Sequence, residues 1–137
     1  MSSRAGGSRT DMTDTPTFDG IHCVAVPATD LDRSKALLEQ LGLTTRFDTE
    51  LQPGFRWVEL AVGPQGPAVA LVATGPELPT GIDTGIRLTT GDARAAHARV
   101  GALGLDAGEL LDWDDVPLMF SFVDHDGNRF YVSEHDG

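Results

Sequence analysis

The spacing of apolar positions along this chain changes in the same order twice, once in each half. CVAVPA, from Cys23, reads as a short strand. In residues 31–41, Leu31, Leu37, Leu38 and Leu41 fall on one side while Asp32, Arg33, Lys35, Glu39 and Gln40 face out, which predicts an amphipathic helix. FRWVELAV and PAVALVA follow as strands around the turn Gly63-Pro64-Gln65-Gly66. From Gly85 the order returns. GIRLTT is a strand, and a thinner helix relies on Ala93, Ala96, Val100 and Leu103, with Gly101 weakening its last turn. PLMFSFV and RFYVSE then flank the turn Asp124-His125-Asp126-Gly127-Asn128. LTTRFDTE and AGELLDW supply a further short strand in each half.

Laid over one another with a shift of 62 residues, Asp30 meets Asp92, and Leu41-Gly42-Leu43 meets Leu103-Gly104-Leu105. An Asp in that place accepts hydrogen bonds from the open amides of a helix's first turn, and the Gly supplies a left-handed stop. The unit is strand, helix, then about three strands, occurring twice. Neither half, at about 60 residues, buries its sheet alone, so the two must pack together. The prediction is an α+β fold with helices covering one face of the sheets and the opposite, concave faces enclosing a pocket. Residues 18–137 read as a single domain, in modules of about 19–80 and 81–135, behind a disordered tail over 1–17 that has little to bury.

Charge narrows the function. Ten Lys+Arg against twenty-one Asp+Glu give a net charge of −11, which repels phosphate backbones and argues against nucleic acid as a partner. The single Cys23 excludes an internal disulfide and any multi-cysteine zinc site. No apolar run is long enough to span a bilayer, and the start MSSRAGGSRTDMTDTPTFDG lacks the apolar core of a secretory signal. A cytoplasmic location, with no membrane partner, is the expectation.

The duplicated unit, with VPATDLDRSKALLEQLGL in its first half and FVDHDGNRFYV in its second, resembles the vicinal oxygen chelate superfamily of glyoxalases, bleomycin-resistance proteins and extradiol dioxygenases. The resemblance covers about residues 19–135 and implies two βαβββ modules forming a cupped mixed sheet with helices on its outer face. It also implies metal ligands on the first and last strands of each module. Those four positions here hold Cys23, Ala70, Gly85 and Tyr131. Ala and Gly side chains carry no donor atom, so the expected metal is none and the expected cofactor is none. Among substitutes, His22 lies one residue early, which by strand alternation turns it to the helix-packed face. Glu59 faces either the cup or the rim, Glu134 is read as solvated, and His97 and His125 as surface histidines.

Alternation places Ala25 and Pro27 beside Cys23, Arg87 and Thr89 beside Gly85, Arg129 and Ser133 beside Tyr131, and Ala68 and Val72 beside Ala70. The candidate ligand-binding residues are Cys23, Trp57, Ala70, Gly85, Arg87, Trp113, Phe122 and Tyr131. Tyr131 and Glu59 are the catalytic candidates, Tyr131 on condition that Arg87 lowers its pKa. Through the repeat, Phe120 matches Glu59 and Phe122 matches Ala61, with their facing left open. The reading is a metal-independent small-molecule-binding protein, holding an aromatic or cationic compound and forming a homodimer. The alternative is a lyase, isomerase or dioxygenase using atypical metal ligands or a metal-free acid–base site.

Overall fold

Both helices start where the repeat places them. In the computed structural model, which describes residues 15–135, α1 spans Leu31–Gln40 and α2 spans Ala93–Ala102. Asp30 accepts from the Arg33 amide at 3.1 Å, and Asp92 from the Ala95 amide at 3.0 Å. Gly42 and Gly104 close the two helices at φ 101° and 83°, a conformation that costs a residue with a Cβ. Most of the expected N-terminal tail, residues 1–14, lies outside the described residues.

The strands are β1 (Cys23–Ala28), β2 (Thr44–Gln52), β3 (Phe55–Ala61), β4 (Ala68–Ala73), β5 (Asp83–Thr90), β6 (Asp106–Ala107), β7 (Met119–Val123) and β8 (Arg129–Glu134). They form two four-stranded mixed sheets of like topology, β1-β4-β3-β2 and β5-β8-β7-β6, so the chain is α+β with two βαβββ modules. In each, the first strand runs parallel to the last and the rest pair antiparallel. AGELLDW contributes less than expected: of it only Ala107, with Asp106 just before, forms the strand paired with β7, helped by an isolated bridge from Leu111 to Met119.

One apolar core joins the helix-packed faces of both sheets. Val26, Val58, Leu60, Val69 and Leu71 from the first sheet share it with Phe120, Phe122, Phe130 and Val132 from the second. This decides the facing of Phe120 and Phe122. Both are 2% exposed and turned toward the helices; Phe122 stacks on Phe130 at 5.4 Å, and Phe120 takes the His97 ring edge-on at 5.0 Å. Phe122 is therefore a core residue and not part of a concave face. His97 is half-buried, with Nε2 2.8 Å from the Gly108 carbonyl, so it ties α2 to the loop after β6 rather than sitting free on the surface.

The Asp-His-Asp-Gly-Asn turn has a structural task. Asn128 is wholly buried; its Nδ2 donates to the Pro27 carbonyl at 2.9 Å, and its Oδ1 accepts from the Gly81 amide at 3.0 Å. Asp126 accepts from the Thr29 hydroxyl at 2.6 Å and pairs with Arg33 at 3.2 Å. The turn of the second module thus closes onto the end of β1 and the start of α1. Glu134, expected to be solvated, instead caps the other helix by accepting from the Ala93 amide at 2.9 Å.

Candidate functional site

The faces turned away from the helices carry the site chemistry, and each sheet builds its own. Across the first, Ala25 pairs with Ala70, Ala70 with Glu59 and Glu59 with Phe47, so these four form one row. Small residues at Ala25 and Ala70 leave the Glu59 side chain room to lie over the sheet. Glu59 is 6% exposed yet has a full set of donors. Arg46 reaches its Oε1 through Nε at 3.0 Å and Nη2 at 2.9 Å, while Trp57 Nε1 donates to Oε2 at 2.7 Å. The His22 ring nitrogen stands 3.3 Å from Oε2.

His22 therefore does not turn to the helix side. It precedes the first residue of β1, where strand alternation no longer holds. Arg46 reaches this face through a register irregularity between Thr45 and Phe47, which brings two sequence neighbours toward the same side. The result is an open hollow of about 600 Å³ lined by His22, Arg46, Phe47, Leu51, Trp57 and Glu59. Phe47, Leu51 and Phe55 are 44%, 51% and 40% exposed, and Phe55 meets Trp57 edge-on at 6.3 Å.

Protonation follows from these contacts. The Trp57 hydrogen bond, then Arg46 and the nearby His22, hold the Glu59 carboxyl below its usual range against the opposing effect of burial. Burial, then the Glu59 charge, pushes the Cys23 thiol up, so the thiolate is disfavoured. His22, Cys23 and Glu59 offer three donor atoms within 4.8 Å of one another, a grouping the chelate positions themselves do not provide. It fits a metal poorly. Glu59 already answers a guanidinium and an indole, burial and the Glu59 charge disfavour the Cys23 thiolate, and an ion here would face the Arg46 charge.

The second sheet is built differently at the same places. Ser121 pairs with Tyr131, as Glu59 pairs with Ala70. The counterpart of Glu59 is therefore Ser121, and not Phe120 as the sequence overlay had it; the overlay slipped by one residue in this strand. The Tyr131 hydroxyl donates to Asp83 Oδ2 at 2.5 Å, and the Arg87 guanidinium lies 4.0 Å from the centre of the Tyr131 ring. Gly85 sits in a bulge of β5, at φ 72°, between the Asp83–Arg129 and Arg87–Tyr131 pairs. That bulge brings Asp83 to the tyrosine, and the carboxylate, foremost through this hydrogen bond, raises the phenol's pKa. Arg87 was expected to lower it; its opposing effect is the smaller one.

Trp113 lies in the loop before β7, 59% exposed, with no ring or hydrogen-bond partner among the described residues. A further cavity of about 480 Å³ lies between the modules on the helix side, against Leu41, Leu88, Val100, Phe120 and Phe122. Of the eight binding candidates, Cys23, Trp57 and Ala70 gather on the first concave face, and Gly85, Arg87 and Tyr131 on the second. Trp113 forms no hydrogen bond or ring contact with either among the described residues, and Phe122 is in the core. His22, Arg46 and Phe47 were missed as a group, as were Asp83 and Ser121. The bulges in β2 and β5 place Arg46 and Asp83, the strand end places His22, and the one-residue slip hid Ser121; a single sequence shows such irregularities poorly.

Duplicated βαβββ modules with polar and aromatic concave faces define a class, the vicinal oxygen chelate fold, and this chain has it. TnmS3, an antibiotic-binding protein from Streptomyces sp. CB03234, superposes with a TM-score of 0.76 at 23% identity, over 88% of this chain and 98% of its own. A glyoxalase/bleomycin resistance protein from the same strain gives 0.70 at 25% identity, over 83% and 99%. A glyoxalase/bleomycin resistance protein/dioxygenase superfamily member from Sphaerobacter thermophilus gives 0.77 at 24%, over 88% and 100%. No family model matches the sequence, and no curated protein does.

Proposed function

We propose that this protein binds a planar aromatic small molecule on its concave faces without a metal. The observation that supports this most is how the reactive groups are occupied. Glu59 is neutralised by Arg46 and capped by Trp57, while the Tyr131 proton is held by Asp83. Their shifts run in opposite directions, carboxyl down and phenol up, and both move away from neutrality, where an acid–base catalyst works best. What remains available is aromatic surface: Phe47, Phe55 and Trp57 around an open hollow. Of the two ligand chemistries that composition suggested, aromatic is the one this face favours. A role like that named for TnmS3, binding an antibiotic, is compatible with it.

An open hollow leaves a bound ligand wetter than small-molecule sites usually do. A homodimer supplies the missing wall, and the exposed Phe47, Leu51 and Phe55 give it apolar surface to bury. Tryptophan fluorescence titrated with a panel of fused-ring aromatics tests the reading. Saturable quenching without product formation is expected, weakened in Trp57→Leu. Conversion of the bound compound would overturn it.

The His22, Cys23 and Glu59 grouping favours a second reading, a metal-dependent lyase, isomerase or dioxygenase with atypical ligands. It requires about one equivalent of metal per chain, measured by elemental mass spectrometry on protein purified without chelator, and activity that a chelator abolishes.

A further inference from the structure

The two modules answer the same structural position with different chemistry, and the difference leaves positive charge on one face. In the first sheet the residue opposite Ala70 is Glu59, and its arginine neighbour, Arg46, is neutralised by it. In the second, the residue opposite Tyr131 is Ser121, and the arginine beside it, Arg129, donates from Nη1 to the Ser121 hydroxyl at 3.0 Å. A hydroxyl accepts the hydrogen bond but cancels no charge.

Arg87 stands next to this pair. It is opposite Tyr131 on β5, while Arg129 lies two residues before Tyr131 on β8, so both arginines share the face and flank the ring. Arg87 spends Nη1 on the Gly85 carbonyl at 3.1 Å and sets its guanidinium carbon over the phenol ring. The nearest acid, Asp83, attracts both through its charge but forms no ion pair with either among the described residues. Asp83 Oδ1 takes the Gly85 amide at 3.0 Å and Oδ2 takes the Tyr131 hydroxyl at 2.5 Å. Elsewhere Arg33, Lys35, Arg46, Arg56 and Arg94 all form ion pairs. Arg99 on α2 forms none either among the described residues, but only Arg87 and Arg129 stand exposed together on one sheet face, in a chain of net charge −11.

We infer that Arg87 and Arg129, set around Tyr131 and Ser121, form an oxyanion-recognition site on the second concave face, suited to the carboxylate of a planar aromatic acid. The reason is geometric as well as electrostatic. Guanidinium forks match a planar carboxylate in bidentate fashion, and the nitrogens not spent on Gly85 and Ser121 have no hydrogen-bond partner among the described residues. Arg87 is already stacked on a ring, which fixes its plane and reduces the freedom lost when a ligand arrives. Asp83 holds the Tyr131 hydroxyl by its hydrogen bond, and the two arginines outweigh its single carboxylate charge on this face. The inference rests on the aromatic-binding reading and adds to it the charge of the ligand.

The test uses the full chain and two isosteric probes, naphthoate and naphthamide, titrated by calorimetry at low salt. Wild type is expected to prefer naphthoate by about tenfold, the scale of a charge-assisted contact, with the preference shrinking as salt rises. In Arg87→Gln/Arg129→Gln the ratio of the two affinities falls to near one. Ser121→Glu gives the same loss by an independent route, because it installs in the second module the neutralising acid of the first. Equal affinities in wild type would overturn the anion site and leave the aromatic reading standing. Binding of naphthamide in preference to naphthoate would overturn it more strongly. Failure of both probes overturns the anion site, and failure of the whole aromatic panel as well would remove the reading beneath it.

Discussion

Tyr131 is the only tyrosine in the chain, so its ionisation is readable directly from ultraviolet absorbance. With Asp83 accepting its proton, the midpoint is expected above the ordinary tyrosine value, and Asp83→Asn should bring it down. An unchanged midpoint in the variant would show that the pair does not form in solution. Glu59 behaves oppositely. Its folded pKa is depressed, so its stabilising contribution is present above the ordinary carboxylate range and disappears as pH falls through the lowered value. Urea midpoints should therefore separate wild type from Glu59→Gln near neutral pH and converge in acid. If the gap stayed constant with pH, the Glu59 shift would not be linked to folding.

Among elements, the helices were the most legible. Their apolar spacing, the Asp caps and the Leu-Gly-Leu exits are local signals that the fold leaves intact. Asp30→Ala and Asp92→Ala should each cost about 1 kcal/mol, read from denaturant midpoints. Strand positions were legible too, but facing was not always so. The overlay slips by one residue between β3 and β7, and one residue in a strand exchanges the two faces, so it could not decide the facing of Phe122, a binding candidate that lies in the core. His22 was misplaced and Arg46 missed through related irregularities, a strand end and a bulge, which depend on pairing partners distant in sequence. The long-range hydrogen bonds of Asn128 had no signal in the sequence beyond its membership in a turn. Their importance is testable: Asn128→Ala leaves the buried Pro27 carbonyl without its donor and frees the Gly81 amide, and should cost about 2 kcal/mol.

At the scale of the whole molecule, the concave faces belong to separate sheets while the core between the helices is held in common. Two copies are expected to associate, with light scattering giving twice the chain mass of 14.6 kDa. Phe47→Glu, which places charge on the exposed apolar face, should shift that mass toward the single chain. A mass equal to one chain for wild type at micromolar concentration would leave the hollow without its second wall. No helix among the described residues is long and apolar enough to cross a membrane.

The buried Asn128 also bears on how this chain tolerates being broken. Its side chain joins the turn of one module to the backbone of the other, and the modules share a single apolar core. A protease that nicked the exposed connection at Glu77 would therefore sever the polypeptide without separating its halves. Two fragments, each near half the sequence, should elute together and part only in denaturant. By the same reasoning they should find one another when expressed from separate messages, so a chain split at this point should reassemble without fused partners to bring its halves together.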